Sequence, residues 1–373
     1  MAPSIGSRTS AGSINCSSNG SRLNCSNKRD LCLALLALVF RGGYSTLEAA
    51  DGQFQIAAYF DSNVRESLDA PAPTFGLILR GRKRHGLRAG RLNVSGDLLG
   101  QVNLDAILAE ESQLLVNADL RSRYRISRTV LLQGDLSHFQ KSFYGRTGSY
   151  AWTHYNAFFR FSPTSRYTGW VGYRYKRKSL EATERFRFGE DNLEARGRYN
   201  ITSKIFVEGV MTGSRIVHKD FSAVAVTDDT TLVLLDYPQR DRGVDGLIHL
   251  RYRGKAIIGM QAGMGNITSN SAIGAFTSLS FQVYVSGRLR PSAYYHVVFR
   301  LFQKRYEHPE AGGESRYRDP EEQVQNLAHL RLEQVLGGGG IGYLQISLLQ
   351  NETIFNQRYY DKAMVEIGLK YEL

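Results

Sequence analysis

The sequence predicts an all-β chain: one antiparallel, up-and-down, transmembrane barrel of about sixteen strands over residues 51–373, preceded by a cleaved secretory leader over residues 1–50. Three observations carry this expectation. Apolar and polar residues alternate in segments of about ten residues from Gln53 to the end. Connections of two to five residues take turns with much longer polar ones. Every proline of the region falls between the alternating segments, where its missing N–H costs no ladder bond.

The leader comes first. Leu31 to Phe40 (LCLALLALVF) is the one unbroken apolar run, about half the length that a helix needs to cross hydrocarbon. Lys28 and Arg29 precede it, and Ala49 and Ala50 follow. That is the order of charged region, apolar region and cleavage site, with the cut expected near Ala50. Residues 1–27 are rich in Ser and Asn and read as an extension without a fold. Cys16, Cys25 and Cys32 all lie in this leader, so the mature chain has no thiol for a disulfide or a metal site.

Charge narrows the partners. The chain has 47 Lys and Arg against 35 Asp and Glu, a net charge of +12. The leader takes five bases and two acids with it, leaving 42 against 33, or +9. Such a balance suits nucleic acid, an acidic membrane surface or an anion pathway. The strand pattern decides among these for a membrane, and no nucleic-acid partner is expected.

Alternation is clearest in 112–126, 170–178, 247–253, 277–288, 293–304, 325–334 and 364–373. In 293–304, Ala293, Tyr295, Val297, Phe299 and Leu301 share one face, opposite Tyr294, His296, Arg300 and Lys304. Strands are expected to begin near Phe54, Thr74, Leu87, Ser112, Thr129, Trp152, Tyr167, Asn192, Lys204, Gly243, Ile257, Phe276, Ser292, Val324, Gly340 and Lys362. Tight connections are expected at 83–86, 127–128, 162–166, 202–203, 254–255, 290–291 and 337–340. Long ones are expected at 61–73, 99–111, 141–150, 179–191, 218–241, 266–275, 306–322 and 351–361. A spanning barrel has this asymmetry, with short turns on one rim and long loops on the other. Pro71, Pro73, Pro163, Pro238, Pro291, Pro309 and Pro320 are all assigned to connections. The 21 Tyr and 18 Phe supply candidates for aromatic girdles at the two headgroup levels.

The chain ends MVEIGLKYEL, with Val365, Ile367, Leu369, Tyr371 and Leu373 on one face and Glu366, Lys370 and Glu372 on the other. This resembles the C-terminal strand of bacterial outer-membrane β-barrel proteins, with an aromatic third from the end, although those chains typically finish in an aromatic and this one in Leu. FQIAAYFDSNVRES, from Phe54, is similar to the first strand and loop of porin-like families. The resemblance implies the bacterial outer membrane, contact with its lipids and lipopolysaccharide, and recognition of the last strand by the barrel-assembly machinery. By analogy it also implies a homo-oligomer.

Catalytic signatures are missing: no Ser or His spacing resembles that of barrel phospholipases, proteases or acyltransferases. His138, His154, His249, His296 and His329 read as separate strand residues, not a metal cluster. Gly337 to Gly340 lacks the Lys-Ser/Thr and the helix of a phosphate loop, so it reads as a turn. No cofactor, metal or catalytic residue is expected.

The polar face is the informative feature. With apolar faces toward lipid, the inward bases are Arg80, Arg91, Arg121, Arg123, Arg125, Arg160, Arg174, Lys176, Arg196, Arg198, Arg251, Arg253, Arg300, Arg331 and Lys370. Against these fifteen stand eight acids: Asp97, Asp119, Asp135, Glu194, Glu208, Glu333, Glu366 and Glu372. Rings of Arg and Lys favour anions, so the leading expectation is a porin-like channel passing small solutes with a mild anion preference. The bases would otherwise serve only to pair with the acids of a wet wall. Two alternatives stand beside the channel. One is a non-conducting barrel of a secretion or surface-polymer export assembly, with partner contacts at 214–242 and 305–323. The other is a barrel enzyme acting on lipids.

Overall fold

Residues of alternating character cannot satisfy their backbone N–H and C=O groups within one strand, and hydrocarbon offers no water to do it. The ladder must therefore close on itself. In the computed structural model it does. Residues 51–63, 72–145, 149–180, 188–226, 232–272, 274–307, 325–351 and 360–372 are described; the leader, its cysteines, its cleavage site and Leu373 lie outside them.

The strands are β1 (Asp51–Asp61), β2 (Thr74–Ala89), β3 (Leu92–Asp105), β4 (Gln113–Arg125), β5 (Val130–Phe143), β6 (Tyr150–Phe161), β7 (Tyr167–Leu180) and β8 (Phe188–Asn200). They continue as β9 (Ile205–Val226), β10 (Leu232–Arg253), β11 (Ala256–Ser269), β12 (Phe276–Arg290), β13 (Ala293–Tyr306), β14 (Gln325–Gly337), β15 (Gly340–Asn351) and β16 (Tyr360–Glu372). Each pairs antiparallel with its neighbours in sequence, and β1 pairs with β16 from Gln53↔Glu372 to Asp61↔Met364. Sixteen strands thus form one closed barrel. No helix among the described residues is long and apolar enough to cross a membrane.

Short turns gather on one rim together with both ends of the barrel, and the longer connections on the other. Gly337, Gly338 and Gly339 all take positive φ (89°, 59° and 78°), a backbone that side chains rarely adopt, which makes the β14–β15 connection a tight turn.

Three sequence expectations are corrected. The turn expected at 83–86 is strand: β2 runs on to Ala89, and the chain reverses at Gly90, whose φ is 58°. The polar run RKRH there lies beyond the apolar belt, where neither face of a strand needs to be greasy. The long connection expected at 218–241, and with it the contact loop at 214–242, is mostly strand, since β9 and β10 each run 22 residues. Pro238 therefore sits within β10. It is tolerated because the β9–β10 register shifts on both sides of it, so no regular ladder bond is asked of its nitrogen.

Cross-strand register fixes the two faces. Ile56, Leu77, Val171, Leu193, Met211, Ile248, Met264 and Leu279 are exposed on the outside. Gln55, Asp61, Asp105, Asn192, Glu194, Glu208 and Glu366 are buried on the inside. An exposed apolar exterior around a buried polar interior inverts a soluble protein and suits lipid outside. Tyr124, Tyr167, Tyr199, Tyr252 and Tyr371 face outward near the short-turn rim and form a girdle there. This is the architecture of a bacterial outer-membrane β-barrel, and the outer membrane is its location.

Candidate functional site

Every second residue of each strand points inward, so the lumen wall follows from parity alone. Register places Arg80 opposite Gln101, Arg121 opposite Asp135, Arg123 opposite Gln133 and Arg125 opposite Leu131. It places Arg174 opposite Asn192, Arg196 opposite Trp170 and Arg198 opposite Thr168. Arg251 faces Phe206 across the β9–β10 ladder, Arg253 pairs with Ile257, Arg300 with Gln282 and Arg331 with Gln345. These eleven of the thirteen sequence-predicted arginines share the face of the buried polar residues, as does Arg160 opposite Leu131, whereas Arg91 lies in the turn between β2 and β3. Arg82 and Arg84, unrecognised in the sequence because of the misplaced turn, join them: both engage Asp97, Arg84 at 3.2 Å.

The wall divides into paired and unpaired stretches. On β7–β9, Glu194 bridges Arg174 at 2.8 Å and Arg196 at 2.7 Å, and Glu208 holds Arg198 at 2.6 Å. Both carboxylates are almost fully buried behind arginines that remain about one-third exposed. On β1–β3, Arg80 donates to Gln101 at 2.7 Å and Gln55 at 3.1 Å. Arg331 lies 4.1 Å above the Tyr343 ring and donates to Glu333 at 2.8 Å and Gln345 at 3.1 Å. Arg300 donates to Gln282 at 2.8 Å.

Between these stretches lies β4. Among the described residues, Arg121, Arg123 and Arg125 make no ion pair, and their side chains no hydrogen bond. Gln133, inward on the neighbouring strand, already donates to Asp135 at 3.0 Å, and Asn117 to Asp119 at 3.0 Å. All three arginines are exposed to the lumen at the short-turn mouth.

Further round, arginines and rings interleave. Arg160, Arg196 and Arg198 lie 5.4–5.8 Å from the Trp170 ring. Arg198 also caps Phe206 at 4.5 Å, with Arg253 on the same ring at 5.7 Å. Ring faces carry partial negative charge, so they hold guanidiniums in place without neutralising them.

The histidines distribute as separate residues, apart from His296 and His329, whose rings approach to 5.9 Å between β13 and β14. Among the described residues no group of His, Cys, Asp and Glu is arranged to hold a metal. The C-terminal residues Val365, Ile367, Leu369 and Tyr371 all face outward on β16, while residues 308–323 of the second expected contact loop lie outside the described residues.

No protein-family description matches the chain, and no curated protein does. Several solved structures are similar to it over most of its length. OmpT, an outer membrane protein of Vibrio cholerae, is 10% identical with a TM-score of 0.47, over 88% of this chain and 100% of that one. OccK2 (OpdF) of Pseudomonas aeruginosa, solved in complex with glucuronate, is 11% identical with a TM-score of 0.48, over 88% and 100%. An anion-selective porin from Comamonas acidovorans is 8% identical with a TM-score of 0.46, over 87% and 99%.

Proposed function

We propose that the chain is an outer-membrane channel through which small solutes diffuse passively, with a mild preference for anions. Sixteen-stranded barrels are wide enough to keep water inside. The observation that carries the anion preference is the unpaired cluster Arg121, Arg123 and Arg125 at the short-turn mouth. Arginines ion-paired with Asp97, Glu194, Glu208 and Glu333 shape a polar surface while cancelling most of their field. Unpaired ones project theirs into the water path, where low-dielectric walls focus it. Passage on this reading needs no cofactor and no covalent step.

Refolded full-length mature chain in planar lipid bilayers tests the proposal. Discrete conductance steps, with a reversal potential displaced toward that of the anion in a salt gradient, are expected. A silent membrane, or clear cation preference, rejects it.

A further inference from the structure

The outside of the barrel carries a second concentration of arginine, unrelated to passage through the lumen. Outward positions of β10 read Tyr252, Leu250, Ile248, Gly246 and Val244, then Arg242 and Arg240. A spanning strand needs about nine to eleven residues, so Tyr252 and Arg242 mark the two headgroup levels, with Arg242 on the long-loop side. Directly opposite Arg242, on β9, stands Arg215.

Like charges facing each other across a ladder destabilise it, and no ion pair among the described residues relieves this one. Among the described residues the side chains of Arg215, Arg240 and Arg242 make no ion pair or hydrogen bond, and all three are exposed. Asp191, the cross-strand partner of Arg215 on β8, accepts a hydrogen bond from Tyr173. The three arginines line a recess of about 390 Å³ with Thr268, Ser269 and Asn270. Its acid, Asp241, points inward and is engaged by His218 at 2.8 Å.

Toward the membrane centre on the same wall runs a shallow apolar groove of about 980 Å³. Its floor includes Gly197, Gly209 and Gly246, and its sides Phe159, Met264 and Leu279. A cationic recess at headgroup level above an apolar groove at acyl-chain level matches one amphiphile. We propose that this wall binds a phosphorylated, multiply acylated lipid of the outer leaflet, of the lipid A type. Its phosphate would lie between Arg215 and Arg242, and its acyl chains in the groove. Guanidinium forks suit phosphate because they donate two parallel bonds to it, and a phosphate between two facing arginines turns their repulsion into attraction.

The test is native mass spectrometry of the full mature chain in detergent, titrated with diphosphorylated lipid A. The variant Arg215→Gln with Arg242→Gln should bind about 25-fold more weakly, at about fivefold for each arginine near a lipid surface. Arg215→Lys with Arg242→Lys, which keeps the charge but loses the fork, should fall between. Dephosphorylated lipid A should bind wild type and Gln variant equally poorly. Equal affinity of wild type and Gln variant for the phosphorylated lipid overturns the proposal. So does full displacement by millimolar inorganic phosphate, which would mark a small-anion site, or occupation of the wall by a second copy of the chain. Heat-resistant migration of each variant verifies folding. Since these residues face lipid, unchanged channel currents are expected, and a failed channel reading leaves this one intact.

Discussion

Replacing Arg121, Arg123 and Arg125 together by Gln removes three positive charges from one side of the short-turn mouth and keeps groups that hydrogen-bond to lumen water. An anion about 7 Å from each guanidinium in water gains about 0.6 kcal/mol per charge without screening, about 1.8 kcal/mol in all. At 0.01 M salt the Debye length of about 30 Å leaves about 1.4 kcal/mol, roughly a tenfold gain in local anion occupancy. At 1 M the length shrinks to about 3 Å and less than about 0.2 kcal/mol survives, under roughly 1.5-fold. These are upper bounds, because Asp119 and Asp135 share the inward face. The assay is the reversal potential across a planar bilayer in a potassium chloride gradient, measured for both proteins in dilute and in concentrated salt. The triple variant should lose most of the anion preference in dilute salt, while the two proteins converge near 1 M. Identical reversal potentials in dilute salt would refute the reasoning, since the three charges would then be neutralised where they stand.

Three other perturbations have defined outcomes. Glu194→Gln strips Arg174 and Arg196 of their shared carboxylate and should cost about 1–2 kcal/mol, since both guanidiniums still reach lumen water; urea unfolding in vesicles reads the loss, and anion preference should rise. Lys362→Met leaves Asp61, 2.8 Å away and buried at the β1–β16 seam, without its cation. It should destabilise the barrel by about 3 kcal/mol, and pairing it with Asp61→Asn should recover most of that in heat-shift gels. Gly172→Val places a Cβ against the Phe158 ring and 2.5 Å from the Ala157 carbonyl oxygen, which the ladder holds in place; the folded band should weaken sharply, whereas Gly209→Ala, with open space around it, should leave it unchanged.

The barrel was legible in the sequence wherever the bilayer enforces alternation. From Leu247 to Arg253 one face must be apolar and the other wet, so the strand and the inward positions of Arg251 and Arg253 follow from period alone. The expectation fails where strands leave the hydrocarbon. Arg82 to His85 continue the ladder of β2 past the apolar belt, and the sequence there looks like a turn because nothing greasy is required of either face. The upper halves of β9 and β10 escaped for the same reason, with Pro238 as a further false stop sign. That error hid Arg215, Arg240 and Arg242 in an expected loop. Which arginines are neutralised was beyond reach as well. Glu194 serves Arg174 only because β7 and β8 meet in one register, and nothing local to β4 says that Arg121, Arg123 and Arg125 form no ion pair although Asp119 and Asp135 share their face.

Register in β10 explains how one residue type serves both faces. Its pairing with β11 runs without interruption from Asp241 to Arg253, so parity is preserved along the whole stretch. Arg251 and Arg253 fall on odd positions and enter the lumen, while Arg242 and Arg240 fall on even ones and meet the headgroups. A slip of one residue would exchange the sets. Asp245, His249 and Arg251 would turn into the belt now held by Val244, Ile248 and Leu250, where an arginine costs about 2–4 kcal/mol at midplane and less toward the rims. Those apolar side chains would in turn lose their lipid contact and face lumen water. The arrangement that gives the lumen its basic wall is therefore the one that lipid enforces from outside, and the outward arginines keep the same parity only because they stand at headgroup level.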